Sequence, residues 1–251
     1  MLSKNTVKFI KSLHHKKFRK QEQAFFVEGA KNVTELLRSD YTCTHLLYTE
    51  KFVDAQPGLL LAFDGEKVPV NPAALKAVGT FSSNDQALVI AQVKPNLPVQ
   101  VASGELIIAL DDIRDPGNLG TIIRIADWYG IKKMLLSPET ADLYNPKVLH
   151  ASMGSFTRLE FEYVALLGKL RKVQVPVFGA FLKGQSIHAH RGPAEGILLM
   201  GNESHGINPE LEPLVSQKLT IPAFGGAESL NVAVATAVLC DHLRRLKGEG
   251  K

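Results

Sequence analysis

Five short apolar runs, separated by helix-like stretches, dominate the second half of the chain. They lie within residues 105–111, 132–137, 175–181, 196–201 and 217–223. A parallel strand that is buried on both faces is continuously apolar, whereas a strand with one face in water alternates between apolar and polar residues. The runs therefore predict an α/β domain built on a parallel sheet.

The first half of the chain is organised on a smaller scale. Apolar runs at 44–49 and 86–93 alternate with helix-like stretches such as VEGAKNVTELLRSD, which predicts a small α/β domain of about 90 residues. The segment 94–104 has two prolines, a glycine and little periodicity, which favours a linker. The expected organisation is a first domain at 1–97, a linker at 98–104 and a second domain at 105–251.

The composition excludes several classes of protein. Apolar residues make up 45% and charged residues 22% of the chain, as in globular proteins, which argues against disorder, collagen and coiled coil. The apolar stretch at 231–240 is shorter than the roughly 20 residues of a membrane span. Cys43 and Cys240 are far apart, so neither a disulfide framework nor a cysteine zinc site is expected, and a reducing cytoplasm fits the chain.

The net charge of +4 is unevenly distributed. Residues 1–20 carry seven Lys and Arg residues and no acid, whereas the rest of the chain is slightly acidic overall. Val7, Ile10 and Leu13 form an apolar stripe if this segment is helical, and the basic residues then face solvent. Such a segment is suited to RNA phosphates, although a solvated lysine-rich helix without a partner remains the alternative. The residues expected to bind RNA are Lys8, Lys11, Lys16, Lys17 and Arg19. No apolar segment follows the basic residues, which disfavours a secretory signal.

Common cofactor and nucleophile motifs are missing. The sequence contains no GxGxxG, no GxxxxGK[ST], no HExxH and no GxSxG. The histidines lack metal-ligand spacing, so no metal is expected. The candidate chemistry lies in three loops that follow apolar runs.

The first of these loops lies within LDDIRDPGNLGTIIRIADWYG, at 110–130. A turn at 115–118 leads into a helix that carries Ile122 and Ile123 on one face. Asn118 either caps this helix or forms a hydrogen bond across the mouth of the loop. Arg124 either points into the crevice above the sheet, where ligands of α/β proteins bind, or is an ordinary surface arginine.

The other two loops follow the fourth and fifth runs. In GILLMGNESHGI, Glu203 stands between Gly201 and Gly206, where it can accept a hydrogen bond from an arginine, position a polar substrate or simply be solvated. In LTIPAFGGAESLNVAVATAVLCDHLRRL, we expect a helix from Ser229 whose first turns are apolar on all sides. Burial against both the sheet and a second subunit would explain this, and Asn231 inside such a helix would need a hydrogen-bond partner.

Together the three loops resemble the motifs of the SpoU/TrmH family of RNA ribose 2′-O-methyltransferases, in the SPOUT superfamily. The order and the internal spacings match for DPGNLGTIIRIAD, GNESHGI and IPAFGGAESLNVAVATAV. The stretches VEGAKNVTELL and SSNDQALVIAQV are similar, more loosely, to the small RNA substrate-binding domain of many members.

The resemblance implies a fold and a cofactor. The second domain would be an α/β domain whose last segment threads a trefoil knot, an exception to the usual topology rules. The cofactor would be S-adenosylmethionine, with its adenosine against backbone at Gly201, Ile221 and Leu230 and with Met200 nearby. Family members are typically homodimers, so a homodimer through the second domain is expected.

The resemblance also implies the reaction, in which a ribose 2′-hydroxyl attacks the methyl group of the cofactor. The resemblance assigns Arg124 to activating the hydroxyl. Because a free arginine stays protonated, we expect Arg124 instead to grip the adjacent phosphate and orient the hydroxyl, with phosphate or solvent accepting the proton. Glu203 would hold Arg124 or the substrate, and Asn118, Ser229 and Asn231 would supply further hydrogen bonds. The architecture favours ribosomal RNA as substrate. A transfer-RNA methyltransferase and a non-catalytic RNA-binding or ribosome-assembly factor are the alternatives.

Overall fold

A computed structural model of the chain describes residues 2–248 and divides into two compact units. Residues up to Pro95, together with Asp142–Thr157, form unit 1, and Asn96–Ala141 with the residues from Arg158 onward form unit 2. The segment Asp142–Thr157 therefore packs with unit 1, although it lies inside the second domain expected from the sequence. The functional assignment of the two sequence domains stays a prediction.

The helices and strands follow one another along residues 2–248. The α-helices are α1 (Lys4–Ser12), α2 (Lys16–Glu22), α3 (Ala30–Leu37), α4 (Glu50–Ala55), α5 (Pro57–Ala62), α6 (Pro72–Val78), α7 (Pro116–Trp128), α8 (Pro146–Ser152), α9 (Leu166–Leu170) and α10 (Val232–Lys247). The strands are β1 (Ala24–Glu28), β2 (Cys43–Tyr48), β3 (Glu66–Pro69), β4 (Ala87–Gln92), β5 (Leu106–Leu110), β6 (Lys133–Leu136), β7 (Glu160–Tyr163), β8 (Val177–Ser186), β9 (Gly196–Met200) and β10 (Gln217–Thr220). Short 3-10 turns lie at Ser155–Arg158, Ile187–Ala189 and Glu212–Leu214.

Unit 1 contains a mixed four-stranded sheet in the order β1-β4-β2-β3. Strand β4 is antiparallel to both of its neighbours, and β3 is parallel to β2. The two strands predicted in the first half of the chain are β2 and β4. Ile10 and Leu13 are fully buried in the core of this unit, and Val7 packs against that core. The apolar stripe of the basic segment is therefore confirmed.

Unit 2 contains a six-stranded, fully parallel sheet in the order β10-β8-β9-β5-β6-β7. The five predicted apolar runs are β5, β6, β8, β9 and β10, so the predicted α/β class with a parallel sheet is confirmed. Edge strand β7 was not predicted, because Glu160 and Glu162 interrupt its apolar pattern. The knot that the resemblance implies stays a prediction.

The parallel arrangement brings the candidate loops to one edge of the sheet. Strands β5, β9 and β10 all run in the same direction, and each leads at its carboxyl end into one of the three loops. Helices α7 and α10, which follow the first and third loops, pack against each other. Within residues 2–248, no helix is long and apolar enough to cross a membrane. In the same range, no three His, Cys, Asp or Glu side chains gather as metal ligands.

Candidate active site

The first loop turns into α7 through an aspartate cap. The Asp115 carboxylate accepts a hydrogen bond from the backbone N–H of Asn118 at 2.8 Å, and Pro116 occupies the first helical position, where its missing N–H costs nothing. Asn118 therefore does not cap the helix. Its side chain is not used in capping and instead forms hydrogen bonds with the other two loops, which is the second of the two roles considered for it.

The second loop is a tight hairpin that presents Glu203. Asn202 and Gly206 exchange two backbone hydrogen bonds, both 3.0 Å long, and Gly206 has a φ of +74°. A side chain at Gly201 would meet the backbone carbonyl carbon of Gly206 at 2.2 Å, so only glycine fits there. The side chain of Asn202 accepts from the N–H of Ser204 at 2.8 Å, which closes the turn around Glu203.

The third loop ends at Asn231, which is the N-cap of α10. Its side-chain oxygen accepts from the N–H groups of Ala233 at 2.9 Å and Val234 at 3.4 Å. The prediction that Ser229 begins this helix is wrong, because Ser229 is an exposed residue in the loop before the cap. Asn231 is likewise exposed at the helix start, so the expected cost of an asparagine inside an apolar helix does not arise.

Two side-chain hydrogen bonds join the three loops. The amide nitrogen of Asn231 donates to the side-chain oxygen of Asn118 at 2.9 Å, and the amide nitrogen of Asn118 donates to the Glu203 carboxylate at 2.9 Å. We refer to Asn231, Asn118 and Glu203 as the Asn–Asn–Glu chain. Each asparagine uses both ends of its amide, which fixes the orientation of all three groups.

Two other predicted residues are not part of this chain. Arg124 is exposed on α7, and its side chain forms no hydrogen bond or ion pair with any residue in 2–248. Glu203, which we expected to hold Arg124 or the substrate, is bonded to Asn118. Ser229 is also exposed and has no hydrogen bond to the described residues.

The predicted cofactor contacts lie at the ends of β9 and β10. Met200 is the last residue of β9 and is buried, Gly201 and Ile221 are half-buried, and Leu230 is exposed. In the loop at 222–230, neither backbone nor side-chain groups form hydrogen bonds with residues 2–248. This stretch therefore offers open backbone donors and acceptors beside the Asn–Asn–Glu chain.

Sequence reasoning missed an aspartate that locks the second loop in place. Asp111 follows β5 directly, and its carboxylate accepts from the backbone N–H of Asn208 at 2.7 Å. Burial raises the pKa of Asp111 above its usual value. The signal in the sequence was an acid placed immediately after a fully buried strand.

The neighbouring Asp112 was missed as well, and it connects the first two loops. It is 8% exposed and has a left-handed backbone with φ of +57°, a conformation that aspartate tolerates better than most residues. Its carbonyl accepts from the side chain of Asn202 at 2.7 Å. Its carboxylate lies 2.8 Å from Nε of Arg114 and 3.3 Å from Nε2 of His205.

The predicted RNA-binding residues of unit 1 divide into two groups. Lys8, Lys11, Lys16 and Lys17 are exposed, and none is paired with another described residue. Arg19, by contrast, is only 3% exposed.

The prediction that Arg19 contacts RNA is not supported, because its buried guanidinium makes four hydrogen bonds inside unit 1. Nη1 donates to the carbonyls of Leu13 and His14 at 2.8 and 2.9 Å. Nε and Nη2 both donate to the Asp142 carboxylate, at 3.1 and 2.6 Å. Arg19 therefore anchors the segment that begins at Asp142 to the basic helices.

Comparison with known proteins assigns the chain to a family. A model of the SpoU rRNA Methylase family matches residues 105–241, and a model of the MRM3-like substrate binding domain matches residues 4–88. The chain belongs to the SpoU rRNA methylase family. It is 31% identical over 245 residues, 95% of each protein, to a Bacillus subtilis protein named 23S rRNA (guanosine(2553)-2′-O)-methyltransferase RlmP.

Solved structures agree with this assignment. A putative RNA methyltransferase of the TrmH family from Porphyromonas gingivalis is 38% identical, with a TM-score of 0.87 over 98% of this chain and 99% of that one. An AdoMet-bound rRNA methyltransferase from Sinorhizobium meliloti is 30% identical, also with a TM-score of 0.87, over 98% of this chain and 96% of that one.

Proposed function

We propose that the protein is an S-adenosylmethionine-dependent RNA ribose 2′-O-methyltransferase that acts on ribosomal RNA. The observation that carries this proposal is the Asn–Asn–Glu chain, which ties together the three loops at the carboxyl edge of the parallel sheet. Family membership and the names of the Bacillus subtilis and Sinorhizobium meliloti relatives support the reaction and the substrate class.

The residues at this edge fit the cofactor. Backbone groups at 222–230 have no hydrogen-bond partner in the described part of the chain and are available to an adenosine, and Gly225 and Gly226 have open space where side chains would stand. Met200, Gly201, Ile221 and Leu230 would hold it. The Glu203 carboxylate complements a cationic sulfonium. When bound, S-adenosylmethionine supplies an electrophilic methyl group.

The protein then has to align the ribose hydroxyl with the methyl group, and the hydroxyl has to lose one proton. A ribose 2′-hydroxyl is a weak nucleophile that loses its proton as the new oxygen–carbon bond forms. Arg124 has no partner among residues 2–248, so its guanidinium is available to grip the neighbouring phosphate and orient the hydroxyl. Arginine stays protonated at neutral pH, so we assign proton acceptance to the phosphate or to solvent.

The remaining site residues set the geometry around the ribose. Asn118 and Asn231 are each held by hydrogen bonds, so Glu203 is presented in one orientation. Ser229 lies two residues before Asn231, and its hydroxyl, which has no partner among residues 2–248, is available for a substrate hydrogen bond. Groups that are already oriented need little reorganisation when the substrate binds.

Unit 1 supplies a basic face for RNA. Lys4, Lys8 and Lys11 are exposed at positions i, i+4 and i+7 of α1, which places them on one side of the helix, away from the buried Ile10 and Leu13. Lys16 and Lys17 extend the basic surface at the start of α2. These side chains are suited to binding the phosphates of an RNA of any sequence.

A homodimer through unit 2 is part of the proposal. Trp128 on α7 is 84% exposed, and Val234 on α10 is half-exposed. A second copy would cover these apolar side chains. Because Trp128 is the single tryptophan of the chain, a blue shift of its fluorescence with rising protein concentration would report dimer formation. The free cysteines fit a cytoplasmic location.

Transfer of a labelled methyl group to purified ribosomal and transfer RNA tests the proposal. We expect ribosomal RNA to be labelled, with 2′-O-methylation at a defined nucleotide that is lost in cells without the protein. Labelling of transfer RNA alone would select the transfer-RNA alternative. RNA binding without transfer, and without S-adenosylmethionine binding in calorimetry, would select a non-catalytic RNA-binding or ribosome-assembly factor.

A further inference from the structure

Two exposed basic side chains converge on one buried carboxylate beside the Asn–Asn–Glu chain. Arg114 comes from the first loop and His205 from the second. Nε of Arg114 lies 2.8 Å from one oxygen of Asp112, and Nε2 of His205 lies 3.3 Å from the other. Asp112 is 8% exposed and is fixed through its carbonyl by Asn202, so it is a rigid anchor.

The anchoring leaves most of the donors of Arg114 unused. Arginine has five N–H donors, and only Nε of Arg114 is bonded within residues 2–248. The side chain of Arg114 is 69% exposed, so its remaining donors face solvent. The side chain of His205 is 58% exposed, and its second ring nitrogen, Nδ1, is a donor in the protonated form. A guanidinium held from behind by a carboxylate is preorganised to bind an anion in front of it, and the imidazole of His205 stands beside it on the same carboxylate.

The carboxylates nearby restrict where that anion can lie. Asp111, Asp115 and Glu203 each accept a hydrogen bond from a neighbouring N–H group, so none of them needs Arg114 as a partner. The pKa of Arg114 is raised, first by its hydrogen bond to Asp112 and to a smaller extent by the negative charges of Glu139 and Glu203. A phosphate would be repelled from their side, and it is left with the approach in front of Arg114 and His205.

We propose that Arg114 and His205 form a binding subsite for an RNA phosphate next to the modified nucleotide, with Asp112 as its positioning residue. The proposal rests on the proposed function, since it assumes that RNA occupies the carboxyl edge of the sheet. The planar guanidinium matches two phosphate oxygens at once, and such paired hydrogen bonds to charged oxygens are strong.

The test compares Arg114→Ala with a geometrically matched control. Arg245 is 72% exposed and also pairs through Nε with a single aspartate, Asp241, at 3.2 Å, but it lies near the end of α10. For Arg114→Ala we expect KM for RNA to rise about tenfold, with kcat and the Kd of S-adenosylmethionine within about twofold. Arg114→Lys should recover part of the loss, and His205→Asn should show a smaller increase in KM.

Salt dependence supplies a readout that does not require turnover. Loss of one phosphate contact should make the plot of log RNA affinity against log salt concentration shallower by about 0.7 for single-stranded RNA. Arg245→Ala should leave both the slope and KM unchanged, with its oligomeric state measured as a check.

Several results would overturn the subsite. Equal RNA KM and equal salt slope for wild type and Arg114→Ala would do so. A weakened Kd for S-adenosylmethionine at unchanged RNA affinity would instead assign Arg114 to the carboxylate of the cofactor. If the wild-type protein transfers no methyl group, the proposed function fails, and the salt slopes of RNA binding then decide on the subsite alone.

Discussion

The polar residues at the carboxyl edge of unit 2 and those on the basic helices of unit 1 are organised in opposite ways. At the edge of the sheet, Asn118, Glu203 and Asn231 are bonded to one another. On α1 and α2, exposed lysines such as Lys8 and Lys16 have no bonded partner in the described chain.

This difference matches two different physical tasks. Chemistry on a ribose requires groups that are held in place, because a displacement of about 1 Å can cost on the order of 100-fold in rate. Attraction to a phosphate backbone requires only charge, and exposed lysines provide that charge whatever the sequence of the RNA. Unit 2 is therefore expected to determine the reaction, and unit 1 to raise the affinity for RNA.

The replacement Arg124→Ala should have the largest effect on the reaction. We expect kcat for methyl transfer to fall at least about 100-fold, equivalent to about 2.7 kcal/mol, because the ribose hydroxyl loses its orienting group. The Kd of S-adenosylmethionine in calorimetry should stay within about twofold. Arg171→Ala is the control, because Arg171 is an exposed arginine of unit 2 whose side chain has no described partner. Near-normal turnover of Arg124→Ala would remove Arg124 from the mechanism.

The replacement Arg19→Ala tests a buried basic residue of unit 1 that is held by side-chain hydrogen bonds, like the polar residues at the edge of unit 2. Removing it leaves Asp142 with no charged partner in a largely buried position, so we expect the free energy of unfolding to fall by about 3 kcal/mol. Denaturant titration measures this change. Lys17→Ala, an exposed neighbour, should change stability by less than about 0.5 kcal/mol.

A double-mutant cycle with Asp142→Ala isolates the pair. The double variant should lose less stability than the sum of the two single variants, because neither charge is left unpaired. If Arg19→Ala keeps full stability but binds RNA more weakly, the original assignment of Arg19 to RNA binding is right and the contrast between the two regions weakens.

Some features of the structure could be predicted from the sequence and others could not, depending on whether they leave a local pattern. Strands β5 and β9 were predictable, because burial on both faces leaves a local mark in the form of an unbroken apolar run. Arg19 was not distinguishable from the lysines around it. Its partner Asp142 lies 123 positions away, and no local pattern reports such a pair.

The side-chain hydrogen bonds of the site could not be predicted from the sequence either, because they also join residues that are far apart in the chain. Asn118 bonds to Glu203 and Asn231 at separations of 85 and 113 residues. The start of α10 was misplaced because Ser229 and Asn231 are both good N-cap residues, and the apolar residues that follow suit either choice. In the structure the side-chain oxygen of Asn231 caps the helix, and its amide nitrogen bonds to Asn118, a partner that the local sequence does not reveal.

The replacement Asn118→Ala should break the Asn–Asn–Glu chain at its centre. It removes both hydrogen bonds without removing a helix cap, since Asp115 caps α7. We expect kcat/KM for RNA to fall about tenfold through loss of orientation, with a change in unfolding free energy of about 1 kcal/mol. Thr121→Ala on the exposed face of the same helix is the control. Unchanged kinetics for Asn118→Ala would show that the chain is structural only.

The smallest effect is expected for the double replacement of Lys8 and Lys11 by alanine. Two lost phosphate contacts should weaken RNA binding severalfold near 0.1 M salt and make the log–log salt slope shallower by about 1.4, while kcat at saturating RNA stays unchanged. Lys67 and Lys76, also exposed lysines of unit 1, give a control variant with the same loss of charge. If both double variants weaken binding equally, net charge alone attracts the RNA, and α1 has no special role. A fall in kcat for Lys8 and Lys11 alone would show that this helix also orients the substrate, which would end the division of tasks between the two units.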